Sequence, residues 1–507
     1  MKQLTKVADN VVALLVRQML TWSLTGILMI FFLPRLLGDQ GLGKITFAVN
    51  LVPMLLVVTN LGTATFTVKQ VALGKERLSQ ILWHAYAVRL VLGLLVGASV
   101  VVAVNLTSVD ADTKRVLSIA SATLIIMGFD AAQVAALQGL EQMRRIAMAE
   151  VANKTTLLIV GITVLVSGWG VVAYAMAMLI GSLAGFLVNF SFLARRYLRR
   201  PSFDSAAVRG LLIGGFPFLM TGAIYQFYNS SDAVMLRFLT RDAVVGWYGA
   251  ANQLYATLNF VPLVITTALL PALTRFHKED KETMRIAVEK GMLAVLMTGV
   301  PIAAGCILLS GDLIRMLHYP AAFNHSVPLL AILALTVPVT GSLMMVGTVV
   351  IAADKQKQWA IVMAITSIAC IAVEVPFIVL FDRIYGNGAI GVSVSAVLSE
   401  SFMLALGVRL VPKGVIGREI AVGLVRAVAA SVVMFAAMGA VKLAHDPGFI
   451  PLVMLGGPVY LVTLIAVRGV TPRELRFLAN MAVSRGRDEP SPGQSGISEP
   501  SLGSEGV

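Results

Sequence analysis

Nine ionisable residues stand inside apolar stretches long enough to cross a bilayer: Arg17, Arg89, Asp130, Glu150, Lys154, Asp232, Glu374, Glu400 and Arg426. A charge at the bilayer centre costs about 2.5 to 3.5 kcal/mol on insertion scales, so such residues face a cavity or a partner. Their types point to two kinds of chemistry. The four cations fall toward the side that the basic loops mark as inner, where they would draw in an anionic ligand. The carboxylates can exchange a proton or hold a cation. Nothing points to bond-breaking chemistry: there is no Walker-type loop, and His84, His277, His318, His325 and His445 are scattered rather than metal-spaced. No catalytic residue, metal site or cofactor is expected.

Spacing separates the candidates. Arg17, Thr21 and Thr25 recur every four residues and share one helix face; Arg17 either lines a cavity there or snorkels to the headgroups. Arg89 and Arg426 lie within snorkelling reach of the inner interface. Glu150 and Lys154 are four apart, the spacing of an ion pair along one helix. Asp232 shares a stripe with Thr221, Tyr225, Tyr228 and Asn229. It is a candidate for a coupling proton or cation, for an outer gate, or for local pairing with Arg237 or Arg241. Glu374 stands two residues before Pro376, where a kink would free backbone carbonyls. Asp130 and Glu400 occupy two further helices, and any of these carboxylates could titrate.

The elements that must position these residues are membrane helices. The chain has 507 residues, 57% hydrophobic and only 13% charged, with mean hydropathy +0.84, whereas globular domains carry about 25% charge. The apolar runs are continuous, which excludes alternating barrel strands. Fourteen helices are predicted near 11–33, 42–68, 81–106, 117–138, 147–167, 171–194, 210–235, 245–273, 287–310, 327–352, 358–381, 388–409, 418–441 and 447–467. With the N-terminus inside, basic residues divide 27 inside to 9 outside, and the positive-inside rule puts both termini in the cytoplasm. The +13 net charge therefore reports orientation and no nucleic-acid partner. Cys306 and Cys370 read as isolated thiols. The arginine-rich connection 194–209 reads as a snorkelling linker, and the segment from about 485 as a disordered tail.

The halves resemble each other. Residues 43–50 (GKITFAVN) match 246–252 (GWYGAAN), each opening a long apolar helix, and Gly168-Trp169-Gly170 matches Gly386-Asn387-Gly388. The expected plan is all-α and polytopic. An N-terminal six-helix bundle (1–200) and a parallel C-terminal copy (201–411) are followed by two appended helices (412–468) and a cytoplasmic tail (469–507). Repeats of this kind are a ground plan of secondary transporters.

On these residues the chain resembles a known family. Tyr228-Asn229-Ser230-Ser231-Asp232, Val245-Gly246-Trp247-Tyr248, Leu270-Pro271 through Arg275, Leu33-Pro34 through Gly41, and Leu137-Gln138-Gly139-Leu140 look like signatures of polysaccharide flippases. These belong to the multidrug/oligosaccharidyl-lipid/polysaccharide exporter superfamily. The resemblance implies two bundles facing each other across a cavity that opens to alternate sides of a cell (inner) membrane. It implies a lipid-linked oligosaccharide, carried on an isoprenoid diphosphate, as substrate. Arg17 would meet the diphosphate, with Thr21, Thr25, Arg89, Lys154, Tyr225 and Asn229 as further substrate-binding candidates. Asp232, Asp130, Glu374 and Glu400 are the coupling or gating candidates. Partners would be membrane lipids, a coupling proton or sodium ion, and polysaccharide polymerase machinery. Alternatives are a lipid II flippase, a multidrug cation antiporter or, as a different class, a membrane glycosyltransferase or polymerase.

Overall fold

The computed structural model describes residues 23–74, 78–107, 109–198, 204–412 and 414–469. Arg17 and Thr21 lie outside the described residues, as do the chain start and the tail from 470 on. Every regular element described is helical. In chain order these are α1 (Ser23–Asn60), α2 (Thr63–Leu73), α3 (Leu78–Leu106), α4 (Ala111–Gly139), α5 (Met143–Val166), α6 (Gly170–Arg196), α7 (Ser205–Leu239) and α8 (Asp242–Leu258). There follow α9 (Phe260–Glu279), α10 (Lys281–Met316), α11 (Ser326–Ala334), α12 (Val337–Ala352), α13 (Gln356–Tyr385), α14 (Ala389–Val408), α15 (Arg418–His445) and α16 (Phe449–Ala466).

Eleven of the described helices are long and apolar enough to cross a membrane, or up to thirteen when two bent pairs are each counted as one span. The chain is a multi-pass membrane protein. The fourteen predicted spans map onto these elements, the first (11–33) only in its described part from Ser23 on, and the lower count has a local cause. The first two predicted helices merge into α1, interrupted only at Gly38, whose φ of 66° and ψ of −172° break the helical path. Such a φ is open to glycine at little cost.

Four spans expected as unbroken are not, the seventh among them, which bends by 51° between its parts Ser205–Met220 and Gly222–Leu239. The second is interrupted at Leu61 and Gly62, both left-handed, between α1 and α2. The eighth breaks at Asn259 between α8 and α9, three residues before Pro262. The tenth bends by 44° between α11 and α12, next to Pro338. In both proline cases the residue four positions back, Leu258 or Ala334, ends the preceding helix. A proline ring clashes with the carbonyl at that position, so the ladder gives way there.

Within the first half, α5 packs along α6, α3 along α4, and α4 along α6. In the second, α13 packs on α14, and α12 on α9, α10 and α14. The last two helices lean on α10. Lys442 of α15 pairs with Asp312 of α10 and donates to the Leu308 carbonyl at 3.0 Å, while Tyr460 of α16 donates to the Met297 carbonyl at 2.8 Å. The halves meet mainly through α1, which packs against both α7 and α8, and through α2 against α7.

Candidate functional site

Three of the four coupling candidates come together. Asp232 on α7, Glu374 on α13 and Glu400 on α14 converge on one polar pocket of the second half, and Asp232 interacts electrostatically with each of the other two. A cavity of about 150 Å³ opens beside Asp232 and Glu400, lined by these two and by Tyr228, Asn229, Tyr248, Tyr255 and Cys370 among others, with Glu374 buried behind Cys370. Tyr248 donates its hydroxyl to Asp232 Oδ2 at 3.0 Å. Thr340 of α12 donates to Glu400, and its hydroxyl is 2.8 Å from that of Tyr255. Glu374 is fully buried. Its Oε2 takes only the Cys370 thiol, at 3.7 Å, and its Oε1 has no hydrogen-bond partner. Among the described residues no lysine or arginine forms an ion pair with any of the three.

The local pairing open to Asp232 does not occur. Arg237 pairs with Asp242 at 2.5 Å, and Arg241 donates to the Gly386 carbonyl at 3.3 Å. Asp232 is left facing hydroxyls. Five helices of one half thus supply carboxylates and neutral donors but no permanent cation. An incoming proton or cation is then the natural partner, because buried charge is tolerated only when paired.

Asp130 belongs elsewhere. On α4 it accepts from Asn189 Nδ2 of α6 at 2.9 Å, and its electrostatic neighbour is Glu150. Glu150 and Lys154 interact along α5, as their spacing suggests. Lys154 lines a second cavity of about 190 Å³ with Thr123, Asn153 and Ser182. Arg89 does not snorkel. It is 1% exposed and donates to the Gly128 carbonyl at 2.9 Å and to Thr63 Oγ1 at 3.3 Å, tying α3 to α4 and to the head of α2. Of the α7 stripe, Tyr228 and Asn229 line the carboxylate cavity, whereas Tyr225 is 59% exposed. Thr25 is half-buried on α1.

Tyr248, Tyr255 and Thr340 are functional candidates that the charge pattern passed over. A signal existed, since Tyr248, Asn252 and Tyr255 share one face of α8 at helical spacing, and all three line the cavity.

A seal between the halves stands at the face that the basic-residue count assigns to the outside. A Cβ added to Gly43 would fall 1.8 Å from the Asp242 carbonyl oxygen, and one added to Gly246 would fall 1.9 Å from the Asp39 carbonyl oxygen. The contact is reciprocal between positions 203 residues apart, the offset of the GKITFAVN and GWYGAAN segments. Trp247 Nε1 donates to Asp39 Oδ2 at 3.1 Å and its ring stacks on His325 at 4.2 Å. Arg35 Nε donates to the Leu317 carbonyl at 2.5 Å. Tyr319 donates to the Ile30 carbonyl at 2.6 Å. Ile30 lies in a π-helical stretch, Ile27–Phe32, and such bulges gather at functional sites.

Lobes sealed on one face, a polar pocket within one half and many apolar spans define the class: a transporter of the multidrug/oligosaccharidyl-lipid/polysaccharide exporter superfamily. A family model described as polysaccharide biosynthesis protein matches residues 7–277, more than half of the chain, and the chain belongs to that family. The MatE family model matches residues 217–377. A search of curated proteins gives no significant match. Among solved structures the chain is similar to the lipid II flippase MurJ in an inward closed conformation, with TM-score 0.71 and 17% identity over 90% of this chain and 98% of that one. It is also similar to an inward-facing multidrug resistance MATE family transporter, with TM-score 0.59 and 16% identity over 79% of this chain and 98% of that one. The MATE multidrug transporter DinF-BH gives TM-score 0.54 and 16% identity over 80% and 95%.

Proposed function

We propose that the chain moves an isoprenoid-diphosphate-linked oligosaccharide from the cytoplasmic to the outer leaflet of the cell membrane, for polysaccharide biosynthesis, with a proton as the coupling ion. The observation that carries the coupling is the carboxylate cluster: Asp232, Glu374 and Glu400 with tyrosine and threonine hydroxyls and no fixed cation. Among the described residues no three His, Cys, Asp or Glu side chains converge closely enough to hold a metal ion. Hydroxyl-bridged single carboxylates suit proton exchange better than joint metal ligation.

The mechanism is alternating access between two six-helix bundles, residues 1–200 and 201–411, that rock about the seam formed by α1 and α2 with α7. The reciprocal Gly43 and Gly246 contact supports that division, because facing copies related by an axis along the membrane normal meet through equivalent positions. Proton occupancy of the cluster changes the charge enclosed by α7, α13 and α14. That can shift the balance between states only insofar as the two states bind the proton differently. Arg17, on the N-terminal side of the Thr25 face, takes the diphosphate, and bidentate guanidinium contacts suit its oxygens.

The test is flipping of a fluorescent isoprenoid-diphosphate oligosaccharide in proteoliposomes under an imposed pH gradient. Transport should follow the gradient in the wild type and lose that dependence in Asp232→Asn. A variant with full gradient dependence rejects the coupling role, and unchanged export by Arg17→Ala rejects the diphosphate role. The 90% coverage shared with the lipid II flippase supports a second reading, that the cargo is lipid II. That reading wins if lipid II is flipped and the oligosaccharide lipid is not.

A further inference from the structure

We propose that a pocket between the start of α5 and the end of α6 binds the phosphate headgroup of an anionic phospholipid. It measures about 390 Å³ and is lined by Arg145, Ser191, Phe192, Arg195 and Arg196, with Met148 at its edge. α5 begins at Met143 and α6 ends at Arg196. The pocket therefore sits where two spanning helices leave the apolar layer, on the face that carries most of the basic residues.

The guanidiniums are held but not neutralised. Arg145 Cζ lies 4.5 Å from the centre of the Phe192 ring, and Arg196 Cζ lies 5.6 Å from it. These are cation–π distances. None of the ion pairs among the described residues involves Arg145, Arg195 or Arg196. Other basic residues of the same face are satisfied from within the protein: Arg285 by Glu282, and Lys355 by the Leu410 carbonyl. Here an aromatic ring orients two planar forks, and none of the side-chain hydrogen bonds among the described residues uses their N–H groups. A guanidinium fork matches phosphate oxygens in bidentate fashion.

The apolar surroundings select a lipid. Met148 is 48% exposed and Leu187, one turn before Ser191 on α6, is 51% exposed. They continue the pocket wall along the two helices toward the bilayer, where acyl chains would lie. Clustered arginines at the cytoplasmic boundary of membrane helices recognise anionic headgroups for the same electrostatic reason. The pocket adjoins the segment that joins the halves, whose far end is pinned where the Asp204 N–H donates to His84 Nε2 of α3 at 2.9 Å. A lipid seated here would brace the inner ends of α5 and α6 beside that joint. The site lies in the half opposite the carboxylate cluster, so its fate is independent of the coupling reading.

The test titrates the full-length protein in neutral detergent with phosphatidylglycerol, reading bound lipid by native mass spectrometry and protection by thermal melting. The double variant R195A/R196A should bind phosphatidylglycerol about thirty-fold more weakly, roughly fivefold for each surface cation removed, with its lipid-free melting unchanged. R144A/K278A, which removes two exposed cations of the same face outside the pocket, should bind as the wild type does. F192L keeps every charge but frees the guanidiniums, and should fall between the two. Equal binding by wild type and R195A/R196A would overturn the proposal. So would equal losses in the two double variants, which would reduce the effect to general surface charge. Protection by inorganic phosphate alone as strong as by the lipid would make this a free-anion site. Preferential displacement of phosphatidylglycerol by isoprenyl diphosphate would assign it to the cargo instead.

Discussion

Glu374 is the most enclosed carboxylate of the cluster, and one of its oxygens is without a partner. Glu374→Gln keeps the shape and removes the ionisable group. It should leave the protein folded and no less stable, while lowering gradient-driven transport at least tenfold; wild-type transport would confine coupling to Asp232 and Glu400. Tyr248→Phe removes one hydrogen bond to a carboxylate, worth about 1.5 to 3 kcal/mol if the acid is charged. Beside the seal between the halves, Asp110 caps α4 through Thr113 at 3.3 Å and accepts from Lys44 at 2.5 Å. Burial works against its charge, but the Lys44 and Thr113 hydrogen bonds outweigh it and hold the carboxyl down at about 2. A depressed carboxyl stabilises above its unfolded value and loses that contribution as pH falls through its folded one. Asp110→Ala should therefore cost about 1 kcal/mol at neutral pH, the usual worth of an N-cap. The difference from wild type should shrink as pH falls toward about 2, as followed by chemical denaturation. The sequence exposed Asp232, Glu374 and Glu400 individually because charge is conspicuous in apolar helices. Their meeting was invisible, since positions on different helices carry no spacing. Tyr248 and Tyr255 were missed because tyrosine in such helices is unremarkable until a carboxylate stands opposite.

At the scale of elements, the boundaries of spans were legible and their interruptions were not. Apolar run length marks where a helix may lie, but a break at Leu61 and Gly62 or at Asn259 lies inside such a run. Pro262 and Pro338 stand just past two of these breaks, and each ends the helix four residues earlier. The seal between α1 and α8 depends on two residues without side chains. Gly43→Val and Gly246→Val each place atoms where a carbonyl oxygen already stands, so neither variant can close this face as drawn. Each should fold, since the obstruction lies between the halves, and each should lose transport by at least tenfold in the proteoliposome assay. Wild-type rates in either variant would show that the contact opens no path. Tyr319→Phe, which deletes only the hydroxyl that reaches Ile30, should act in the same direction and more weakly, by about 0.5 to 1.5 kcal/mol.

For the whole molecule, composition and loop charge were enough to reach a polytopic helical membrane protein, because lipid permits few other solutions for so apolar a chain; transport entered only with the repeat and the family resemblance. What they could not reach is how the halves touch, which depends on side chains far apart in sequence. The described contacts seal the outer face through α1 and α8 and continue along α1 and α2 against α7, while α9 makes its substantial contacts only with α8, α10 and α12 of its own half. Opening the outer face must therefore break the Gly43, Gly246, Trp247 and Tyr319 contacts together, since all join the same two surfaces. That cooperativity can be measured. Spin labels replacing Arg115 near the start of α4 and Arg383 near the end of α13, both exposed, report the outer separation of the halves. The wild type at rest should give one short-distance population, and a second, longer one should grow when a gradient and cargo lipid are supplied. In Gly43→Val the longer population should dominate without either. A single unchanging distance in wild type and variant alike would mean that this face is fixed, and that transport proceeds without the two halves rocking apart there.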